Sequence, residues 1–213
     1  MKRLMLAVGL AAFAAAPAAA QWAGMPVWNS PKGGTGITVS GDFGAPNEEY
    51  GKGTAFGARA ALGLGNLTIT AGMSSWKPDG QSESFTSMGG NAAFRVIGGS
   101  LLPVAINLQL GVARTGEANT EPSLTRFLVG GGVSASLPTP GISIEPYVSV
   151  SNRWEKSSGF DLDSNLGWTI GANGNFGLFG VHVAYDSEGR EVGGAAGVLG
   201  IGAHFQLKVP LGM

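Results

Sequence analysis

The sequence predicts an all-β chain closed into a single antiparallel up-and-down transmembrane barrel of ten strands, with eight as the alternative count. Three observations carry this. Side chains alternate between apolar and small or polar with a period of two over most of the chain. The connections between these segments alternate long and short without a fault. The acidic residues gather in the long connections.

The clearest segment is a hairpin from Thr125 to Trp154. In its first arm Phe127, Val129, Val133, Ala135 and Leu137 share one face, and Gly130, Gly132, Ser134 and Ser136 the other. In its second arm Ile142, Ile144, Val148, Val150 and Trp154 oppose Ser143, Glu145, Tyr147, Ser149, Ser151 and Arg153. Pro138-Thr139-Pro140-Gly141 is a tight reversal between them. Each arm has 13 residues, long enough to cross a bilayer, which takes about 9–11 tilted residues. Pro146 lacks an N–H inside the second arm, which predicts a bulge or local break in pairing.

The alternation recurs on both sides. Ile37, Val39 and Phe43 define the first apolar face, Phe56 to Leu64 the second, and Leu67 to Met73 the third. Met88 to Val96 and Val104 to Val112 lead into the hairpin. Leu166 to Ala172, Phe179 to Tyr185, and Leu199 to Val209 follow it. The connections at 44–53, 77–83, 115–124, 155–164 and 186–193 are long. Those at 65–66, 98–102, 138–141 and 174–178 are short. Long outer loops with short periplasmic turns place both termini at the periplasmic end.

Charge and aromatic placement agree with this. Of 14 acidic residues, only Asp42 and Glu145 fall inside the segments, so the long loops form an acidic end. On the apolar face Phe43, Phe56, Phe127, Trp154, Trp168 and Tyr185 lie near the long-loop ends. Phe94, Phe179 and Phe205 lie near the short-turn ends. Together they read as two interfacial girdles.

Residues 1–20 read as a secretory signal peptide, with a basic Met1-Lys2-Arg3 start, an apolar run, and Ala18-Ala19-Ala20 before Gln21. Residues 21–35 have no period and read as a periplasmic lead-in or partial plug; the barrel spans 36–213. Downstream of residue 20 no apolar run is long enough for a spanning helix. The absence of cysteine excludes thiolate metal sites and thiol catalysis. No basic stretch points to nucleic acid.

On these features the chain resembles the bacterial outer-membrane β-barrel proteins of the small porin-like and OmpA-like type, over about Gly36–Val209. The resemblance is one of architecture and carries over no functional residue. It implies membrane lipid and lipopolysaccharide as surroundings, and insertion by the barrel-assembly machinery. The chain departs from the pattern at its end, where the nearest aromatic is Phe205 rather than a terminal residue.

The inward face carries the candidate functional residues. Arg59, Arg95, Glu145, His182, His204 and Lys208 are placed in the lower lumen, and Asp42 and Arg153 at the outer mouth. A salt-bridge network around Glu145 is the first expectation, because lone buried charges are costly. An anion-biased constriction is the second. Strand rise puts His182 and His204 about 13 Å apart, too far to share an ion. No cofactor, metal or catalytic set is expected. Barrel enzymes of the resembling type need a histidine at the outer rim or on the lipid face, and both histidines here face inward. The role expected is a small diffusion pore or structural barrel. Surface binding or adhesion through the loops is the alternative, with divalent cations bridging acidic loops.

Overall fold

The computed structural model describes residues 21–98, 102–116, 123–157, 163–189 and 194–207. Lys208 and the loop residues Glu117, Glu121, Asp161 and Glu191 lie outside them. Ten long strands form the wall. They are β1 (Gly34–Pro46), β2 (Thr54–Gly65), β3 (Leu67–Lys77), β4 (Phe85–Ile97), β5 (Val104–Thr115), β6 (Leu124–Ala135), β8 (Ile142–Ser157), β9 (Asp163–Phe176), β10 (Phe179–Glu188) and β11 (Ala196–Leu207). β7 (Leu137–Thr139) is a three-residue piece continuing the line of β6. No helix occurs among the described residues. Every strand pairs antiparallel with its neighbours, and the β1–β11 pairing joins the chain's two ends. The β6–β8 pairing completes the ring. The fold is the closed ten-strand barrel that alternation predicts.

The two faces fall where the period of two puts them. Phe56 is 64% exposed and Leu166 is 65% exposed on the outer face, while Ser149 and Ser151 are buried within. Outward aromatics meet across strands. Phe43 packs on Phe56 with ring centroids 5.4 Å apart, and Trp168 on Tyr185 at 5.7 Å, both toward the long-loop end. Phe179 packs on Phe205 at 5.4 Å toward the short-turn end. Phe94 is also outward and half exposed. Gly65, Gly141 and Gly177 take φ of 78°, 80° and 64° in the tight turns, a region that costs glycine little.

Pro146 acts as its missing N–H predicts. β8 keeps continuous register with β9, pairing Pro146 with Ala172. On its other side the pairing stops after Ser134↔Tyr147 and resumes at Leu137↔Ile144. The expected 13-residue arm is therefore interrupted at Ala135 and Ser136 on the β8 side, while on the β5 side the Ser136 N–H still donates to the Pro103 carbonyl at 2.5 Å.

Two expectations are corrected here. Several carboxylates assigned to long loops lie in strands: Glu155 in β8, and Asp186 and Glu188 in β10. Strand periodicity continues past the last aromatic, so Asp186 and Glu188 follow His182 and Ala184 onto the inner face. The second concerns residues 21–33, read as a periplasmic lead-in or partial plug: they lie inside the barrel, as the plug alternative has it, and only the end at which they begin differs from expectation. Gln21, Trp22, Met25, Val27 and Trp28 are all buried. Trp22, Met25, Val27 and Trp28 pack with Ala55, Ala113, Leu128, Tyr147 and Ala184 of the wall to form the core. The segment starts among residues near the long-loop end and runs down to Gly33, where it enters β1. The first described residue is thus at the end opposite to the one expected.

Candidate functional site

The candidate site is the lumen with the segment inside it. Small inward residues make the space. A Cβ on Gly200 would sit 2.5 Å from Pro26 Cγ. One on Gly44 would overlap the Gly24 carbonyl oxygen, and one on Gly132 would overlap the Asn29 amide. These inward glycines are the mould of the segment. One gap, between Gln21–Trp28 and Asn91 and Leu128 of the wall, is about 10 Å³, no more than one water occupies. A hollow of about 970 Å³ lies elsewhere, lined by outward side chains such as Phe43, Phe56, Ile144 and Ile201. Asp42, His182 and Gly202 of the inner face also border it.

Polar side chains hold the segment at three levels. At the long-loop end, Gln21 donates from Nε2 to Asp186 Oδ1 at 2.9 Å. Its Oε1 accepts from Arg126 at 2.5 Å and Arg153 at 3.0 Å. Arg153 is fully buried. It donates to both oxygens of Asp186 at 2.8 Å, to Glu188 Oε2 at 3.0 Å and to Ser151 Oγ at 3.1 Å. Arg126 pairs with Glu155 and lies 3.5 Å from Glu188. Gly167 leaves the space Arg153 fills. Two guanidiniums thus bind three carboxylates, which is what permits so many charges to be buried.

In the middle, Arg59 Nε donates to Asp42 Oδ2 at 2.9 Å, and His182 Nε2 lies 2.6 Å from Asp42 Oδ1. His182 Nδ1 faces His204 Nδ1 at 3.1 Å, and His204 Nε2 faces Asn175 Oδ1 at 2.8 Å. Trp28 of the segment sets its ring against His182 at 4.5 Å, and the Arg59 guanidinium lies over the same indole at 5.1 Å. Asp42 therefore belongs to this group and not to the outer mouth with Arg153. Strand tilt explains the difference. Asp42 pairs across with Gly57, and Arg59 lies two residues lower on β2, on the same inner face. Its long side chain reaches back up.

The histidine separation is also corrected. His182 pairs with Gly202, so His204 is one inward position away rather than two. The rings reach toward each other over that step, because Gly180 and Gly202 leave the space for them. No group of three or more metal-ligating side chains converges among the described residues.

At the short-turn end, Glu145 is buried and held by neutral donors. Ser134 Oγ donates at 2.7 Å, Ser30 Oγ at 2.9 Å and the Lys32 backbone N–H at 2.9 Å. Asn29 and Asn107 exchange side-chain hydrogen bonds just above. Arg95 donates to the Lys32 carbonyl and to Asn66 Oδ1, both at 2.5 Å. Among the described residues Glu145 has no ion-pair partner; the ion pairs form higher up, and the segment's own donors hold Glu145 instead. Of the cations placed at the expected anion-biased constriction, Arg59 is paired to Asp42 and Arg95 is bound to a carbonyl and an amide, while Lys208 lies outside the described residues.

Sequence reasoning missed Arg126, Glu155, Asp186 and Glu188. Arg126 already alternates with Phe127 inside the hairpin's first arm, and extending the alternation past Trp154 and Tyr185 by up to three residues finds the others on the inner face. Nothing local identifies Gln21 or Trp28 as lumen residues, since 21–33 has neither strand nor helix period.

No protein-family model matches the sequence, and no curated protein matches it. Solved structures do. The β domain of the Bordetella autotransporter Brka aligns at TM-score 0.57 and 11% identity, covering 81% of this chain and 100% of that one. Neisserial surface protein A aligns at TM-score 0.42 and 8% identity, over 80% of this chain and 96% of that one. At such identity the Brka likeness speaks for the fold alone: this chain has the architecture of the outer-membrane β-barrels.

Proposed function

We propose that this protein is an integral barrel of the bacterial outer membrane, exported by a leader over residues 1–20 and shut by its own residues 21–33. It is a closed, structural barrel in this form and not a free diffusion pore. One observation carries the reading: the segment fills the lumen and is tied to the wall at three levels. The continuous apolar outer surface, with aromatics toward both ends, supports the membrane setting. The chemistry is non-enzymatic, with His182 covered by Trp28 and His204 engaged by His182 and Asn175.

The segment is held without being a perfect fit. The indole N–H groups of Trp22 and Trp28 are buried with no acceptor among the described residues, at roughly 1–3 kcal/mol each. This offsets part of their apolar burial. A closed barrel that can be opened is the consequence.

Planar-bilayer recording tests this. The chain from Gln21 onward is silent, and a chain lacking residues 21–33 shows a steady open level. Both migrate faster unboiled than boiled on gels, as folded barrels do. An open level in the unmodified chain overturns the closed reading. A silent deletion variant that keeps heat-modifiable migration overturns the role of the segment.

Surface binding through the loops is the second reading, favoured by Glu48, Glu49, Asp79 and Glu83 at one end of the barrel. Divalent cations would act there. Lys52 lies 2.5 Å from Glu48 and holds its carboxyl below the usual range, which leaves this site partly neutralised already. Loss of binding to host or lipopolysaccharide surfaces on deletion of loops 47–53 and 78–84 is the mark of this reading.

A further inference from the structure

The outer wall is nearly free of charge. Among strand residues with described side chains, three charged ones follow the outward alternation: Lys77 on β3, Arg114 on β5 and Lys156 on β8. All are cations, all are exposed, and all sit at the long-loop end. No strand carboxylate with a described side chain shares that face: Asp42, Glu145, Glu155, Asp186 and Glu188 point inward.

Arg114 and Lys156 belong to one row. Arg114 pairs with Thr125 across β5 and β6, and Thr125 with Lys156 across β6 and β8. Two strand spacings of about 4.8 Å separate the backbones of the two cations. Neither has an ion-pair partner among the described residues. The outward row two residues below is Val112, Phe127 and Trp154. A pair of cations with no ion-pair partner among the described residues, and a hydroxyl between them, therefore caps an aromatic shelf. Cations facing lipid are costly, and long side chains lift them to headgroup depth. There they gain most from an anion, and a phosphate accepts from a guanidinium in two-pronged geometry.

We propose that Arg114, Thr125 and Lys156 bind the phosphorylated headgroup of a lipid in the leaflet at the long-loop end, with its acyl chains over Phe127 and Trp154. This rests on the membrane reading above.

The test uses the chain from Gln21 onward in detergent micelles, with lipid A and its dephosphorylated form as probes and native mass spectrometry as the readout. The unmodified protein retains lipid A at least tenfold better than the dephosphorylated form. Arg114→Ala with Lys156→Ala removes that preference and keeps heat-modifiable migration. Lys77→Ala, off the row, retains it. Equal retention of both lipids by the unmodified protein overturns the proposal, as does full retention by the double variant. Inorganic phosphate binding as strongly as lipid A overturns the lipid assignment. A protein that partitions to membranes without phosphate preference separates this failure from failure of the membrane reading, whose mark is absence from the membrane fraction.

Discussion

His182 and His204 meet through their Nδ1 atoms at 3.1 Å, at the centre of a chain that runs from Asp42 to Asn175. Such a contact needs one nitrogen to donate and the other to accept. His182 also touches Trp28, so the wall contact and the seating of the segment are one structure. His182→Ala removes partners from Asp42, Arg59, His204 and Trp28 together, whereas His204→Ala removes fewer. Thermal unfolding followed by gel migration is expected to show the larger loss for His182→Ala. A double-mutant cycle on the pair gives a coupling of roughly 0.5–3 kcal/mol.

Arg153 is fully buried between Asp186 and Glu188. Arg153→Met leaves two carboxylates with less compensation, and breaking such a pair costs about 3–5 kcal/mol. Denaturant midpoints of the variant check this. Replacing Lys156 by Met on the outer rim leaves the midpoint near that of the parent.

The inward glycines make a paired prediction possible. Gly132→Leu drives a side chain into Asn29, and Gly200→Val drives one into Pro26. Both displace the segment and are expected to raise bilayer conductance, with tryptophan emission shifted to the red as Trp22 and Trp28 meet water. Gly41→Val adds a side chain where nothing lies within 4 Å. That variant stays silent.

Glu145 has three close donors and, among the described residues, no cation beside it. Glu145→Ala leaves Ser30, Ser134 and the Lys32 N–H without their acceptor, at roughly 1–3 kcal/mol for each group left buried. The short-turn end of the segment loosens first. Amide exchange at Lys32 is expected to speed up well before that at Trp22.

Much of the wall was legible because a strand's period of two is a local signal. Outward Phe127 and Val150, inward Ser149 and Glu145, and the disturbance at Pro146 all follow from neighbours in sequence. The charge groups were not legible to the same depth. Asp42 with Arg59, and His182 with His204, depend on the tilt between strands, and a one-position error in a hairpin centre moves the facing position by two residues, which is one inward step. The lumen filling was least legible. Trp28 fits glycines and side chains from several strands, so its place is a property of the closed ring and of no stretch of it.

Because Gly33 joins the segment directly to β1, the stopper is tethered. Its 13 residues, fully extended, reach at most about 45 Å, against a hydrocarbon core about 30 Å thick. It can leave the lumen altogether and still hang from the rim. Its return is then intramolecular, at an effective concentration on the order of millimolar. Re-closure is independent of how many barrels share the membrane. A free peptide copying residues 21–33 competes for an emptied lumen only when supplied at about that level.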